Sequence, residues 1–127
     1  MTLQALVCDD DSTFRAIVSD LLESRGVEVT QAKDGQEGLA IFAKQDFDLV
    51  ITDFLMPKAD GMQVTRHIRL SGERGQIPVV LMSAISKSQI RHDENEWTPD
   101  YYINKPFKPK HMAKLIDRVL RDMKKGK

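Results

Sequence analysis

The chain has 127 residues, a length that suits one domain able to bury a core without disulfides or a structural metal. Its 19 Lys and Arg balance 19 Asp and Glu, which removes the basic field a nucleic-acid binder needs, and its lone Cys8 has no internal disulfide partner. No apolar run approaches a membrane span and Met1-Thr2-Leu3-Gln4 does not open like a signal peptide, so a cytoplasmic globule is predicted, with neither nucleic acid nor membrane as a direct partner.

Leu3 to Cys8 is a short apolar run of the kind buried on both faces of a parallel sheet, and it stops abruptly at Asp9-Asp10-Asp11. Ser12 and Thr13 offer capping oxygens for a helix whose apolar side is Phe14, Ile17, Val18, Leu21 and Leu22, with Gly26 just past its end. Val27 to Ala32 reads as a second strand, Asp34-Gly35 as a turn, and Leu39, Phe42 and Ala43 as the apolar side of a second helix. Asp48 to Asp53 is a third strand, again stopping at a carboxylate. Phe54 to Gly61 carries the Pro and Gly of a loop, and a helix is predicted from about Met62 to Leu70, followed by a turn through Gly72 and Gly75. Val79 to Met82 is a fourth strand ending at Ser83, and Tyr101-Tyr102-Ile103 a fifth, closed by Asn104-Lys105-Pro106. Met112, Leu115, Ile116, Val119 and Leu120 form the stripe of a last helix that starts near Pro109. Residues 1–122 read as the domain and 123–127 as a basic, flexible tail.

Strands alternating with helices predict an α/β fold, a parallel sheet with helices on both faces and its chemistry outside the carboxyl ends of the strands. All but the second predicted strand end in a reactive or hydrogen-bonding side chain: Asp9 and Asp10, Asp53, Ser83, Lys105. Three carboxylates at one edge repel one another and take up protons unless a cation holds them. Oxygen donors of this kind select hard divalent ions such as Mg2+ (or Mn2+). Lysine adds a compact positive charge, serine a hydroxyl donor, and a carboxylate can accept a phosphoryl group, so the set points to metal-assisted phosphoryl transfer. Each residue alone has a plainer reading, Asp11 as a helix cap, Lys105 as a solvated lysine, Ser83 and Tyr102 as ordinary strand-end residues; the argument lies in the combination. His67, His92 and His111 show no metal-ligand spacing, and Cys8 reads as packing.

The segments VCDDDSTFRAIV, DLVITDFLMPKADGM, PVVLMSA and YYINKPF, in this order, resemble the response-regulator receiver domains, especially the stand-alone chemotaxis regulators. The resemblance implies a flavodoxin-like, doubly wound, five-stranded parallel sheet in the order 2-1-3-4-5. It further implies Asp53 as phosphoacceptor, Asp9, Asp10, Asp53 and the Leu55 backbone carbonyl as the metal site, and Lys105 as the charge beside the phosphoryl group. Ser83 and Tyr102 take the place of the switch hydroxyl and switch aromatic, and the Lys105–Pro106 bond is expected to be cis. The partners implied are a histidine kinase or phosphotransfer protein and an output protein at the face of the helix after the fourth strand, the fifth strand and the last helix.

Two features depart from the family. Residues 86–99 hold few apolar side chains, Ile90 and Trp97 among them, which predicts a short or mobile helix there and leaves Trp97 as an interface anchor or a residue packed on the fifth strand. Leu55 and Ile85, two residues past the acceptor and the hydroxyl, are apolar, which predicts slow loss of the phosphoryl group. The resulting expectation is a phosphorylation-activated response regulator that catalyses only its own modification and is not a turnover enzyme. Its rivals are a phosphate-independent interaction module, a flavin protein or enzyme on the same fold, and a receiver cut from a larger regulator.

Overall fold

The computed structural model of the chain describes residues 2–86 and 98–125. Five strands, Gln4–Cys8 (β1), Glu28–Ala32 (β2), Leu49–Asp53 (β3), Val79–Ser83 (β4) and Tyr101–Asn104 (β5), form one all-parallel sheet in the order β2-β1-β3-β4-β5. Among the described residues the helices are Ser12–Glu23 (α1), Gly35–Lys44 (α2), Gly61–Arg69 (α3) and Pro109–Lys125 (α4), with a 3-10 turn at Gly72–Gly75. The expected strand order is present, and among the described residues each expected strand lies within a residue or two of its observed bounds.

Position in the sheet follows from composition. β3 and β4 are buried at every residue and sit centrally, whereas β2 and β5, with Glu28, Gln31 and Asn104 exposed, take the edges. Successive residues point to opposite faces, so Ala5 and Val7 join Ile51, Val80, Val18 and Ile116 under α1 and α4. Leu6 and Cys8 join Val50, Phe42, Val64 and Ile68 under α2 and α3. Each fully buried Leu, Ile or Phe contributes about 1.5–3 kcal/mol of transfer free energy.

Of the capping groups that the sequence offers, Asp11 is the one used: its carboxylate accepts from the Thr13 and Phe14 N–H groups, while Ser12 and Thr13 are already helical. One local expectation is corrected. The last helix does not stop at residue 122: it runs through Lys125, with Met123 packed on the core, so residues 123–125 are helix and not tail. Met123 continues the stripe of Met112, Ile116 and Val119, and that periodicity outweighs the lysine-rich composition. The reading of residues 87–97, including Ile90 and Trp97, lies outside the described residues.

Cys8 is packing, as its sequence context suggests. Burial pushes its thiol up to about 12, and a Cβ added at Gly38 would lie 2.6 Å from its sulfur. Gly38→Ala is therefore expected to destabilise the fold by about 1–3 kcal/mol in urea unfolding. Adding Cys8→Ala, which vacates the sulfur's space, should restore most of that; an undiminished loss in the double variant would place the strain elsewhere.

Candidate active site

The carboxyl ends of β1, β3, β4 and β5 bring the chemistry-bearing residues to one edge. Asp9 follows β1 and is wholly buried; its backbone N–H bonds to Ala32 of β2 and its Oδ1 accepts from the Asp11 N–H at 2.9 Å. Asp53 ends β3, with Oδ1 accepting from the Phe54 N–H at 3.0 Å. Lys105 reaches back from the end of β5, so that its Nζ lies 2.9 Å from Asp9 Oδ2 and 3.2 Å from Asp53 Oδ2. Among the described residues no donor is aligned for a directional hydrogen bond on the buried Asp9 Oδ2, so the lysine holds that oxygen by charge. The Lys105–Pro106 bond is cis, as the resemblance implies.

The electrostatics follow from this geometry. Burial, then the nearby Asp9 charge, pushes the Asp53 carboxyl up to about 6, against the lowering pull of Lys105. Burial by itself would make the Lys105 ammonium easier to deprotonate, but Asp9 and Asp53 outweigh it and the net shift is upward. Asp10, exposed, completes a group in which one oxygen from each of Asp9, Asp10 and Asp53 lies within 4.8 Å of the others. Three acidic oxygens facing one ammonium leave a net negative pocket. The donor set fits a hard divalent cation.

Ser83 ends β4 beside β3 and is buried; its Oγ accepts from the Ile85 N–H at 3.0 Å, and its carbonyl accepts from the Lys105 N–H at 2.8 Å. Tyr102, paired with Leu81 in the β4–β5 ladder, is half-buried and its hydroxyl pKa is raised by burial. Leu55 sits in the loop after Asp53 with its side chain 64% exposed. That loop is anchored by close approach: a Cβ at Gly61 would lie 2.4 Å from the Asp53 carbonyl oxygen, and one at Gly35 would lie 2.0 Å from that of Ala59. The Asp60-Gly61 pair thus has a physical cause, a capping box formed by Asp60 and Gln63 on a helix start pressed against the end of β3.

Sequence reasoning missed an aromatic ring beside the lysine and a second ring packed against it. Lys105 Nζ lies 4.4 Å from the centre of the Phe14 ring, and Phe107 packs against Phe14 at 5.1 Å between centroids. Phe14 registered only as an apolar helix position; Lys-Pro-Phe was the available signal that an aromatic follows the lysine. A cavity of about 490 Å³ opens at the opposite edge of the sheet, by Asp48, Asp100 and Asp122. Those carboxylates already accept from the Gln4 N–H, from Arg69 and the Val79 N–H, and from the Tyr101 hydroxyl, so we place the chemistry at the carboxyl edge despite that cavity's size.

Residues 5–117 match the family model described as response regulator receiver domain. A probable transcriptional regulator ycf27 from Porphyridium aerugineum is 37% identical over 95% of this chain and 49% of its own length. The DNA-binding dual master transcriptional regulator RpaA of Synechocystis is 33% identical over 91% of this chain and 48% of its own length. The chain therefore spans about half the length of the curated relatives it matches. Among solved structures, the chemotaxis response regulator CheY4 of Vibrio cholerae superposes with a TM-score of 0.84 at 28% identity, over 94% of this chain and 99% of that one. The Francisella response regulator 1452 receiver domain superposes at 0.79 and 28% identity, over 99% and 100%. With fold, order of acidic and basic strand ends and family model in agreement, the chain belongs to the response regulator receiver domains, the phosphorylation-activated modules of two-component signalling.

Proposed function

We propose that Asp53 is the phosphoacceptor of this receiver and that Lys105, Ser83 and the neighbouring acids serve the transfer. The observation that carries this reading is Lys105 bridging two buried carboxylates, 2.9 and 3.2 Å away, beside a third acid. In the step, an Asp53 carboxylate oxygen forms a bond to phosphorus as the donor's bond from phosphorus to histidine nitrogen breaks. The electron pair stays on the imidazole. Asp9, Asp10, Asp53 and the Leu55 backbone carbonyl would hold Mg2+ or Mn2+, which when bound neutralises charge on the phosphoryl oxygens. Lys105 offers its ammonium to the same oxygens and Ser83 its hydroxyl. Ser83 and Tyr102 act as the switch pair, relaying the change to an output face that includes β5 and α4.

The donor is a histidine kinase or phosphotransfer protein and the output a protein surface, in a cytoplasmic setting, and the chain modifies only itself. Exposure to acetyl phosphate and Mg2+, followed by intact-mass and peptide mass spectrometry, should place one phosphoryl group on the peptide bearing Asp53. No mass increase, or a modification elsewhere, would reject the reading.

The lifetime of that group has its own test. Leu55 is open to solvent and Ile85 is half-buried beside Ser83, and neither can orient a water by hydrogen bonding. Leu55→Asn combined with Ile85→Glu is expected to speed phosphate loss about tenfold or more, by supplying polar groups that position the attacking water. Unchanged decay of the phosphorylated species would show that water access is limited elsewhere.

A further inference from the structure

We infer that Phe14 is a positioning residue for phosphoryl transfer, its ring face holding the Lys105 ammonium toward Asp53, with Phe107 packed against the ring. The inference rests on the proposed role of Asp53. Three contacts fix the lysine: Asp9 Oδ2 at 2.9 Å, Asp53 Oδ2 at 3.2 Å and the Phe14 ring centre at 4.4 Å. The ring distance lies well within the range at which a cation is attracted to an aromatic face. The lysine side chain is only 12% exposed, so little water competes for that face.

The ring differs from the two carboxylates in one respect that matters during transfer. Carboxylates that share their charge with a divalent ion, or that carry a phosphoryl group, attract the ammonium less. The quadrupole of a phenyl ring is altered by neither. The ring contact therefore persists through the step in which both ionic contacts weaken, and it limits the directions open to a long, four-carbon side chain. Phe107 stands at 5.1 Å and 59° from Phe14, a tilted aromatic pair that fixes the ring's plane. Helix α1 fixes its position: the Phe14 N–H bonds to the Asp11 cap, in the same turn that follows Asp9 and Asp10.

The test replaces Phe14 in the full chain with phenylalanines of increasing ring fluorination, which keep the shape while draining the quadrupole. Phosphorylation of Asp53 by acetyl phosphate in Mg2+ is timed by intact-mass spectrometry, and thermal unfolding is recorded for each variant. The rate is expected to fall stepwise with fluorination, reaching about three- to tenfold at the most fluorinated ring, with unfolding temperature nearly constant. Phe14→Leu, apolar but without a quadrupole, should fall to a similar level. A flat series in a chain that is phosphorylated normally overturns the inference and leaves the receiver reading intact. A rate that falls only where the unfolding temperature falls with it, and not with fluorination as such, also overturns it, because that pattern reports packing alone. A parent chain that takes no phosphoryl group at Asp53 overturns both.

Discussion

Asp53→Asn is expected to abolish phosphoryl uptake from acetyl phosphate and, at the same time, to make the metal-free protein more stable above pH 6. The first effect removes the nucleophilic oxygen. The second follows from the carboxyl's environment: burial and the Asp9 charge raise its pKa from 3.8 to about 6. Between those values the folded chain holds a proton that the unfolded chain has released, so stability falls as pH rises. The favourable contribution is complete below about pH 4 and lost above about pH 6. Asparagine does not titrate, so the variant escapes the loss, which amounts to about 2 kcal/mol after allowance for solvent screening at a site that still opens to water. Thermal unfolding in chelator should show parent and variant nearly equal at pH 4 and the variant roughly 5–10 °C higher at pH 7. Mg2+ should raise the parent more than the variant, since only the parent keeps the full carboxylate set. Equal curves at both pH values would mean that Asp53 is better solvated than the buried site implies.

Most of this site was legible in the sequence because parallel sheets convert chain order into spatial order. Asp9, Asp53, Ser83 and Lys105 each end or follow a strand, and the sheet carries all four to one edge without any need to know side-chain rotamers. What escaped depended on side-chain reach. Arg69 threads to the carbonyls of Gly75, Ile77 and Thr98 and to Asp100, and Arg74 to Asp46 and the Gln45 carbonyl. Backbone acceptors leave no mark in a residue pattern, so these two clamps on the loops at the amino edge could not be anticipated. Asp34 read as a turn residue, yet its carboxylate caps α2 at the Glu37 N–H and lies 3.7 Å from Lys58. Phe14 and Phe107 come from opposite ends of the chain, and nothing in a periodic apolar stripe distinguishes a ring that packs on the core from one that also faces an ammonium.

Lys105→Met should separate the structural part of the site's charge from the chemical part. Methionine keeps much of the length and apolar stem, so packing against Phe14 survives while the charge goes. In the metal-free chain the change leaves Asp9 and Asp53 buried side by side without their shared cation, a loss of about 3–5 kcal/mol, read in urea unfolding at neutral pH. Asp9→Asn in the same chain removes one of the two repelling charges and should recover part of it. A divalent ion supplies positive charge to the same carboxylates, so saturating Mg2+ should restore much of the stability. It cannot restore the ammonium, carried on a side chain that reaches back from the end of β5 to Asp53, and phosphorylation should stay about 100-fold slow. Stability that returns with the ion while the rate does not is the signature of a lysine that acts on the transferring group. If both returned together, Lys105 would be a counter-ion for the fold and the charge that assists transfer would have to come from the metal alone.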